Sequence, residues 1–224
     1  MQIYDIIKSR HSVRKYIDKE IASDVLLALR NEIDICNKEG DLNIQLVLGD
    51  KTAFSGLRAS YGSLKGVSNY IVMAGKKGAT LSERLGYYGE RIVLKAQELG
   101  LNTCWVGLSF AYNDNKELYQ LEKGETKKLI ITIGYGETAG HERKSKSFEE
   151  VAVVNGDVPE WFKRGVEYAL YAPTAMNQQK FKFYLDGNKV RLKYALAFYG
   201  NVDKGIVKYH FELGAGKENF FWVD

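Results

Sequence analysis

Two arginines and a serine lie within five residues of one another near the start of the chain, in the segment Arg10-His11-Ser12-Val13-Arg14. Guanidinium groups match phosphate oxygens with paired hydrogen bonds, and a hydroxyl adds another donor. The segment therefore has the chemistry to hold a dianionic phosphate. On spacing alone, a basic turn exposed to solvent is the simpler interpretation.

A second segment combines small residues, one of the two prolines and three amides, in the order Ala172-Pro173-Thr174-Ala175-Met176-Asn177-Gln178-Gln179. Small side chains let a planar ligand approach the backbone, and amides offer donors and acceptors to its polar edge. On composition alone, a loop that follows a helix is the simpler interpretation.

The third segment of interest, residues 99–107, passes from a predicted helix end into a predicted strand and contains Cys104. The sequence places no base beside this thiol, so we interpret Cys104 as a small core residue. The two cysteines and three histidines show no spacing typical of a metal site, which argues against a zinc enzyme. The absence of a disulfide framework in the sequence is typical of a reduced, cytoplasmic protein.

Apolar periodicity predicts the elements that must position these segments. We expect helices at 3–9, 23–40, 81–99, 160–170 and 203–213, and strands at 44–48, 69–74, 103–107, 128–134, 181–185, 190–194 and 220–223. Residues 51–66 read as a mobile loop, and 186–188 as a hairpin turn. A hairpin and short connections do not suit repeated βαβ units, so we predict an α+β fold, with a mixed or antiparallel sheet flanked by helices.

Composition excludes several classes of protein. The chain has 224 residues, 45% of them hydrophobic, and a net charge of +4 that is too small and too scattered to indicate nucleic acid binding. No stretch approaches the roughly 20 apolar residues that a membrane span needs. We therefore expect a soluble protein that has neither nucleic acid nor a membrane as a partner.

Together, the segments resemble those of the FMN-dependent nitroreductase family. Residues 10–16 are similar to the arginine-serine-arginine signature that opens these proteins, and residues 172–179 to their alanine-proline-serine loop with its Asn and Gln. Residues 99–107 resemble the segment beside the flavin ring, and residues 133–137 the glycine-tyrosine turn after the last core strand. The resemblance spans most of the chain.

The order of the segments departs from the family pattern. The alanine-proline loop normally follows soon after the arginine segment, near residues 32–42 here, but in this chain it follows a second beginning at 144–150. Residues 92–100 and 206–214 also agree at five of nine positions. We therefore predict a core half, 1–142, and a degenerate second half, 143–224, that completes the flavin site. Where ordinary members dimerise to build this site, the chain would act as a monomeric pseudo-dimer, although a homodimer remains open.

The resemblance implies FMN as the cofactor and a role for each matching residue. Arg10, Ser12, Lys144 and Lys146 would hold the phosphate and ribityl chain, with backbone contacts from His11. Arg14 would lie beside the pyrimidine edge of the ring. The ring would be lined by Pro173, Thr174, Ala175, Asn177 and Gln178, and its N5 atom would lie near Trp105, Val106 and Gly107.

The implied reaction is hydride transfer from NADH or NADPH to FMN and then to a nitroaromatic or quinone-like acceptor, by a ping-pong scheme. The cofactor supplies the chemistry, so no catalytic side chain or metal is required. Two alternatives stay open: an FMN-binding protein without turnover, acting as a sensor or store, and a non-flavin binding module on the same fold.

Overall fold

The computed structural model describes residues 2–52, 54, 64–107 and 116–223, so most of the predicted 51–66 loop lies outside the described residues. The chain forms two compact units. The first, here called the arginine unit, comprises Ser9–Leu81 and Arg91–Glu142. The second, the hairpin unit, comprises Met1–Lys8, Ser82–Glu90 and Arg143–Asp224. The predicted domains 1–142 and 143–224 stay a prediction.

The helices and strands are numbered in chain order. The helices are α1 (Ile3–Ser9), α2 (Ser23–Gly40), α3 (Leu81–Glu98), α4 (Phe148–Val151), α5 (Glu160–Leu170) and α6 (Gly200–Ala215). The strands are β1 (Gln45–Val47), β2 (Tyr70–Lys76), β3 (Asn102–Val106), β4 (Glu125–Gly134), β5 (Ala152–Val154), β6 (Phe181–Asp186), β7 (Lys189–Tyr194) and β8 (Phe221–Val223). Short 3₁₀ turns occur at Lys116–Leu118, Ala175–Asn177 and Lys217–Asn219.

The arginine unit is built on a four-stranded sheet in the order β1-β2-β4-β3, in which every neighbouring pair is antiparallel. The first six residues of β2 and the last six of β4 are buried, as expected for two apolar strands at the centre of a sheet. Their shared core includes Tyr70, Val72, Cys104 and Ile130. The edge position of β3 leaves one side of this strand available to another segment of backbone.

The hairpin unit is built on a mixed sheet in the order β5-β6-β7-β8, with parallel outer pairs and an antiparallel central pair. Gly187 takes a φ of +59° in the turn between β6 and β7, a conformation that glycine adopts without a Cβ clash. Alternate residues of β6 are buried, and Phe183 stacks on Phe211 of α6 with ring centroids 4.6 Å apart. Aromatic packing between sheet and helix thus forms this core.

Glycines let α6 approach two other helices closely. A Cβ on Gly205 would lie 2.0 Å from the Glu83 carbonyl oxygen of α3, and a Cβ on Gly86 would lie 2.0 Å from that of Val202. Gly214 meets the Arg164 carbonyl oxygen of α5 in the same way, at 2.5 Å. Gly214 therefore stays helical, and Gly216 is the residue that caps the helix.

The predicted α+β class is confirmed. Helices and antiparallel strands occur as expected, and α1 and α5 match their predicted bounds. The internal duplication stays a prediction. Gly100 follows its helix at a φ of +78°, whereas its aligned partner Gly214 packs inside one. Among the described residues, no helix has the length and apolar character needed to cross a membrane.

Candidate functional site

The arginine segment runs alongside the edge strand β3. Ser12 forms a parallel bridge with Thr103, and the Val13 amide donates to the Thr103 carbonyl at 3.0 Å. Tyr16 closes the segment, because its buried hydroxyl donates to the Val13 carbonyl and contacts the Thr132 hydroxyl, each at 2.8 Å. This backbone pairing fixes the positions from which the two arginines project.

The polar side chains of this segment gather around Cys104. Burial raises the pKa of the Cys104 thiol, while the guanidiniums of Arg14 and Arg10 and a hydrogen bond with Ser12 act to lower it. Arg10 is 2% exposed, whereas Arg14 is exposed to solvent. Arg10, Ser12 and Arg14 thus all lie near enough to Cys104 to act on its thiol, and the raised pKa agrees with Cys104 being a core residue and not a nucleophile.

His11 and the end of β3 complete this part of the site. A Cβ on Gly140 would lie 2.7 Å from the His11 Cβ, so the two backbones are in close contact. Trp105 is half-buried opposite Ile131, and Val106 is buried opposite Ile130. Gly107, which directly follows β3, is half-buried.

In the hairpin unit, the loop of residues 173–179 has an unusual backbone. Met176, Asn177 and Gln179 have φ angles of +52°, +53° and +45°. Residues other than glycine seldom adopt this left-handed backbone conformation, and it usually persists only where surrounding contacts fix it. Pro173 is buried, and Thr174, Ala175 and Gln178 are half-buried.

Gln179 ties this loop to residues 144–146, here called the lysine segment. Its side-chain oxygen accepts from the Lys146 amide at 2.9 Å, and its backbone oxygen accepts from the Lys146 ammonium at 2.9 Å. Its amide nitrogen donates to the side chain of Asn177 at 3.0 Å, and Asn177 in turn donates to the Lys144 carbonyl at 2.8 Å. The structure therefore brings the predicted residues Lys144, Lys146 and Asn177 together.

A buried carboxylate supports the same loop. Asp203 of α6 is 3% exposed, and the Ala175 amide nitrogen lies 3.1 Å from each of its two oxygens. The Tyr194 hydroxyl donates to it at 2.8 Å. Burial raises the pKa of Asp203 to about 6, although these hydrogen bonds act to lower it.

Sequence reasoning missed Gln179 and Asp203 as site residues. The amide run 177–179 contained a signal for Gln179, since a loop rich in amides needs internal partners. For Asp203 the signal was weaker: it is an acidic residue at the start of a helix, where solvent exposure is the usual interpretation.

Comparison with known proteins identifies the family. Residues 2–215 match the family model described as "Putative TM nitroreductase". No curated protein sequence matches the chain. The family match covers nearly the whole chain.

Solved structures share the fold. A protein from Thermotoga maritima MSB8, described as a putative nitroreductase, aligns with 96% of this chain and 83% of its own at a TM-score of 0.69 and 22% identity. A putative nitroreductase from Desulfovibrio desulfuricans, solved in complex with FMN, aligns with 71% of this chain and 99% of its own at 0.56 and 16%. A nitroreductase-like protein from Bacillus cereus aligns with 67% of this chain and 94% of its own at 0.51 and 23%. With the family model matched from residue 2 to residue 215, the chain belongs to this nitroreductase family.

Proposed function

We propose that the chain is an FMN-dependent oxidoreductase that passes hydride equivalents from NADH or NADPH to a small oxidised acceptor, such as a nitroaromatic or a quinone. The observation that carries this proposal is the grouping of Arg10, Ser12 and Arg14 around Cys104 at the edge strand β3, in a chain of the nitroreductase family. The FMN bound to the Desulfovibrio relative supports the choice of cofactor.

The donor set suits the phosphate end of FMN. Arg10 and Ser12 offer a guanidinium and a hydroxyl, groups that bind a dianionic phosphate well, and the backbone pairing with Thr103 holds this segment in place. Lys144 and Lys146 offer two further cations from the hairpin unit. Lys146 is partly occupied by its hydrogen bond to Gln179, so Lys144 is the freer of the two to meet a phosphate.

The side chains bind the cofactor and adjust its reduction potential, while the bound FMN supplies the hydride chemistry. Arg14 is exposed and so can reach the pyrimidine edge of the ring, where a cation stabilises the negative charge that reduction brings. Residues Pro173, Thr174, Ala175, Asn177 and Gln178 would line the ring, and Trp105, Val106 and Gly107 would lie near N5. This hydride transfer needs no acid, base or metal supplied by the protein.

We further propose that one chain supplies both the arginine segment and the 173–179 loop to one flavin, as a monomeric pseudo-dimer. In a homodimer of ordinary members these segments come from different subunits. The order of the segments supports a single-chain site, because the loop follows a second beginning at 144–150 and the second half would then take the place of a partner subunit. A cytoplasmic location also remains our expectation.

Anaerobic spectroscopy tests the activity. Purified protein should show a flavin spectrum that bleaches on addition of NADH or NADPH and recovers when a quinone is added. A spectrum that resists both nicotinamides would instead indicate a flavin sensor or store. A colourless protein that takes up no FMN would indicate a non-flavin binding module.

Steady-state kinetics test the order of the two transfers. If donor and acceptor share one site in turn, double-reciprocal plots at several acceptor concentrations should be parallel. Intersecting lines would contradict the ping-pong scheme.

A further inference from the structure

A buried carboxylate stands behind the loop that we propose lines the flavin ring. Asp203 receives the Ala175 amide on both oxygens and the Tyr194 hydroxyl on one of them. Ala175 directly precedes Met176, the first of the loop residues in the left-handed conformation. The carboxylate therefore acts on the backbone at the point where the loop enters its strained region.

The two ends of the loop are held by different groups. At the C-terminal end, Gln179 is bound by the backbone and ammonium of Lys146. At the N-terminal end, Asp203 binds Ala175 from helix α6. Left-handed residues other than glycine persist only where surrounding contacts fix them, so loss of either anchor should let the loop relax.

Ionisation of the buried Asp203 destabilises the folded state. Burial raises the pKa of its carboxyl to about 6, so at neutral pH the protein holds a charge in a site that disfavours it. Its neighbour Lys204 offers no compensation, since that ammonium pairs with Glu83 at 2.9 Å. A residue kept only for packing would be apolar here, and this cost is explained if the carboxylate has a task at the loop.

We infer that Asp203 is a positioning residue that holds the Ala175 backbone, and through it the 173–179 loop, in the shape that the flavin ring requires. The inference rests on the proposed function for its ligand. The geometry of the loop itself is independent of that ligand.

The test compares four purified full-length variants with the wild-type protein. Asp203→Ala removes the acceptor, while Asp203→Asn keeps one oxygen for the Ala175 amide. Ala175→Pro removes the donor and leaves Asp203 intact, and the extended Thr174 before it is compatible with proline. Glu212→Ala is the matched control, because Glu212 lies on the same helix and accepts from the Trp222 indole at 2.8 Å, nine residues from Asp203.

Two readouts are measured: the FMN dissociation constant, from quenching of flavin fluorescence, and amide hydrogen exchange of the 173–179 segment without FMN. Losing a hydrogen bond to a charged group should weaken FMN binding about tenfold or more in Asp203→Ala and Ala175→Pro. Exchange in the 173–179 segment should accelerate in both variants. Asp203→Asn should remain within about fivefold of the wild type in FMN affinity, since a neutral acceptor keeps part of the bond. Glu212→Ala should change neither readout in this segment.

The results separate the inference from the function on which it rests. Wild-type-like affinity and exchange in Asp203→Ala or Ala175→Pro would overturn the inference, as would an equal loss in Glu212→Ala. If the wild-type protein takes up no FMN, the proposed function fails. The exchange data then decide alone whether Asp203 holds the loop.

Discussion

A buried imidazole and a buried carboxylate lie against each other inside the hairpin unit. His210 Nε2 is 2.8 Å from Glu90 Oε1, Nδ1 is 3.1 Å from the Tyr168 carbonyl oxygen, and both side chains are fully buried. A carbonyl only accepts, so Nδ1 carries a proton, and a second proton lies between Nε2 and Oε1. The two side chains therefore form a buried hydrogen-bonded pair.

Replacing His210 with alanine removes this partner from a carboxylate that water does not reach. Breaking such a buried pair costs about 3–5 kcal/mol. In a chain of this size each kcal/mol lowers the melting temperature by roughly 2–4 °C, so we expect a loss of about 6–20 °C. Glu90→Gln keeps a donor toward Nε2 and should cost only about 1 kcal/mol.

A double-mutant cycle read by circular dichroism in urea measures the coupling. Because the first substitution already breaks the pair, the double variant His210→Ala/Glu90→Gln should be less destabilised than the sum of the single variants by at least about 1 kcal/mol. Additivity within about 0.5 kcal/mol would refute the reasoning. FMN uptake by the folded His210→Ala protein should be unchanged, since His210 has no place in the proposed site.

Three further predictions follow from other contacts. Gly205→Ala should destabilise the protein by about 1–3 kcal/mol in urea denaturation, because its Cβ would meet the Glu83 carbonyl. Gly78→Ala, the control, should not destabilise it, because the space around Gly78 is open. Equal stability of the two variants would contradict the close helix contact. The pKa of Asp203 is raised from 3.8 to about 6 on folding, so between pH 4 and 6 the folded state binds more protons than the unfolded state. The contribution of Asp203 to the free energy of unfolding should therefore fall by at most about 3 kcal/mol as the pH rises from 4 to 6. Comparison of urea midpoints with Asp203→Asn isolates this slope, and identical pH profiles would argue against it. Finally, Arg10→Ala and Arg14→Ala should each raise the FMN dissociation constant about tenfold or more, since each removes a charged contact; unchanged fluorescence titrations would remove these residues from the site.

Local patterns predicted most of the regular elements. Helices α1 and α5 and the β6-β7 hairpin follow from periodicity and turn chemistry, which act over a few residues. The short α4 and β5 were not predicted, because four and three residues carry little periodicity, although the equally short β1 and β8 were found within longer apolar runs. The division of the strands into two sheets also escaped prediction, since it depends on pairing between residues far apart in the chain.

The site was predictable where a motif is contiguous in sequence. The arginine segment and the 172–179 loop were recognisable from residue types alone, and the structure groups the arginines with Ser12, and Asn177 with the lysines. Asp203 was not predictable, because its role comes from a tertiary hydrogen bond to a backbone amide that has no sequence signature. Gly214 shows the same limit: its pattern suggested a helix end, but its packing against Arg164 keeps it inside the helix.

The number of flavins bound per polypeptide tests the central claim most directly. Protein loaded with excess FMN and freed of unbound cofactor is denatured, and the released flavin is quantified by absorbance against total polypeptide. The mass of the flavin-loaded particle is measured on the same sample by analytical ultracentrifugation. A single-chain site predicts one FMN per chain on a particle with the mass of one chain, 25.4 kDa. Flavin held only by particles of two chains, or no flavin, would contradict it.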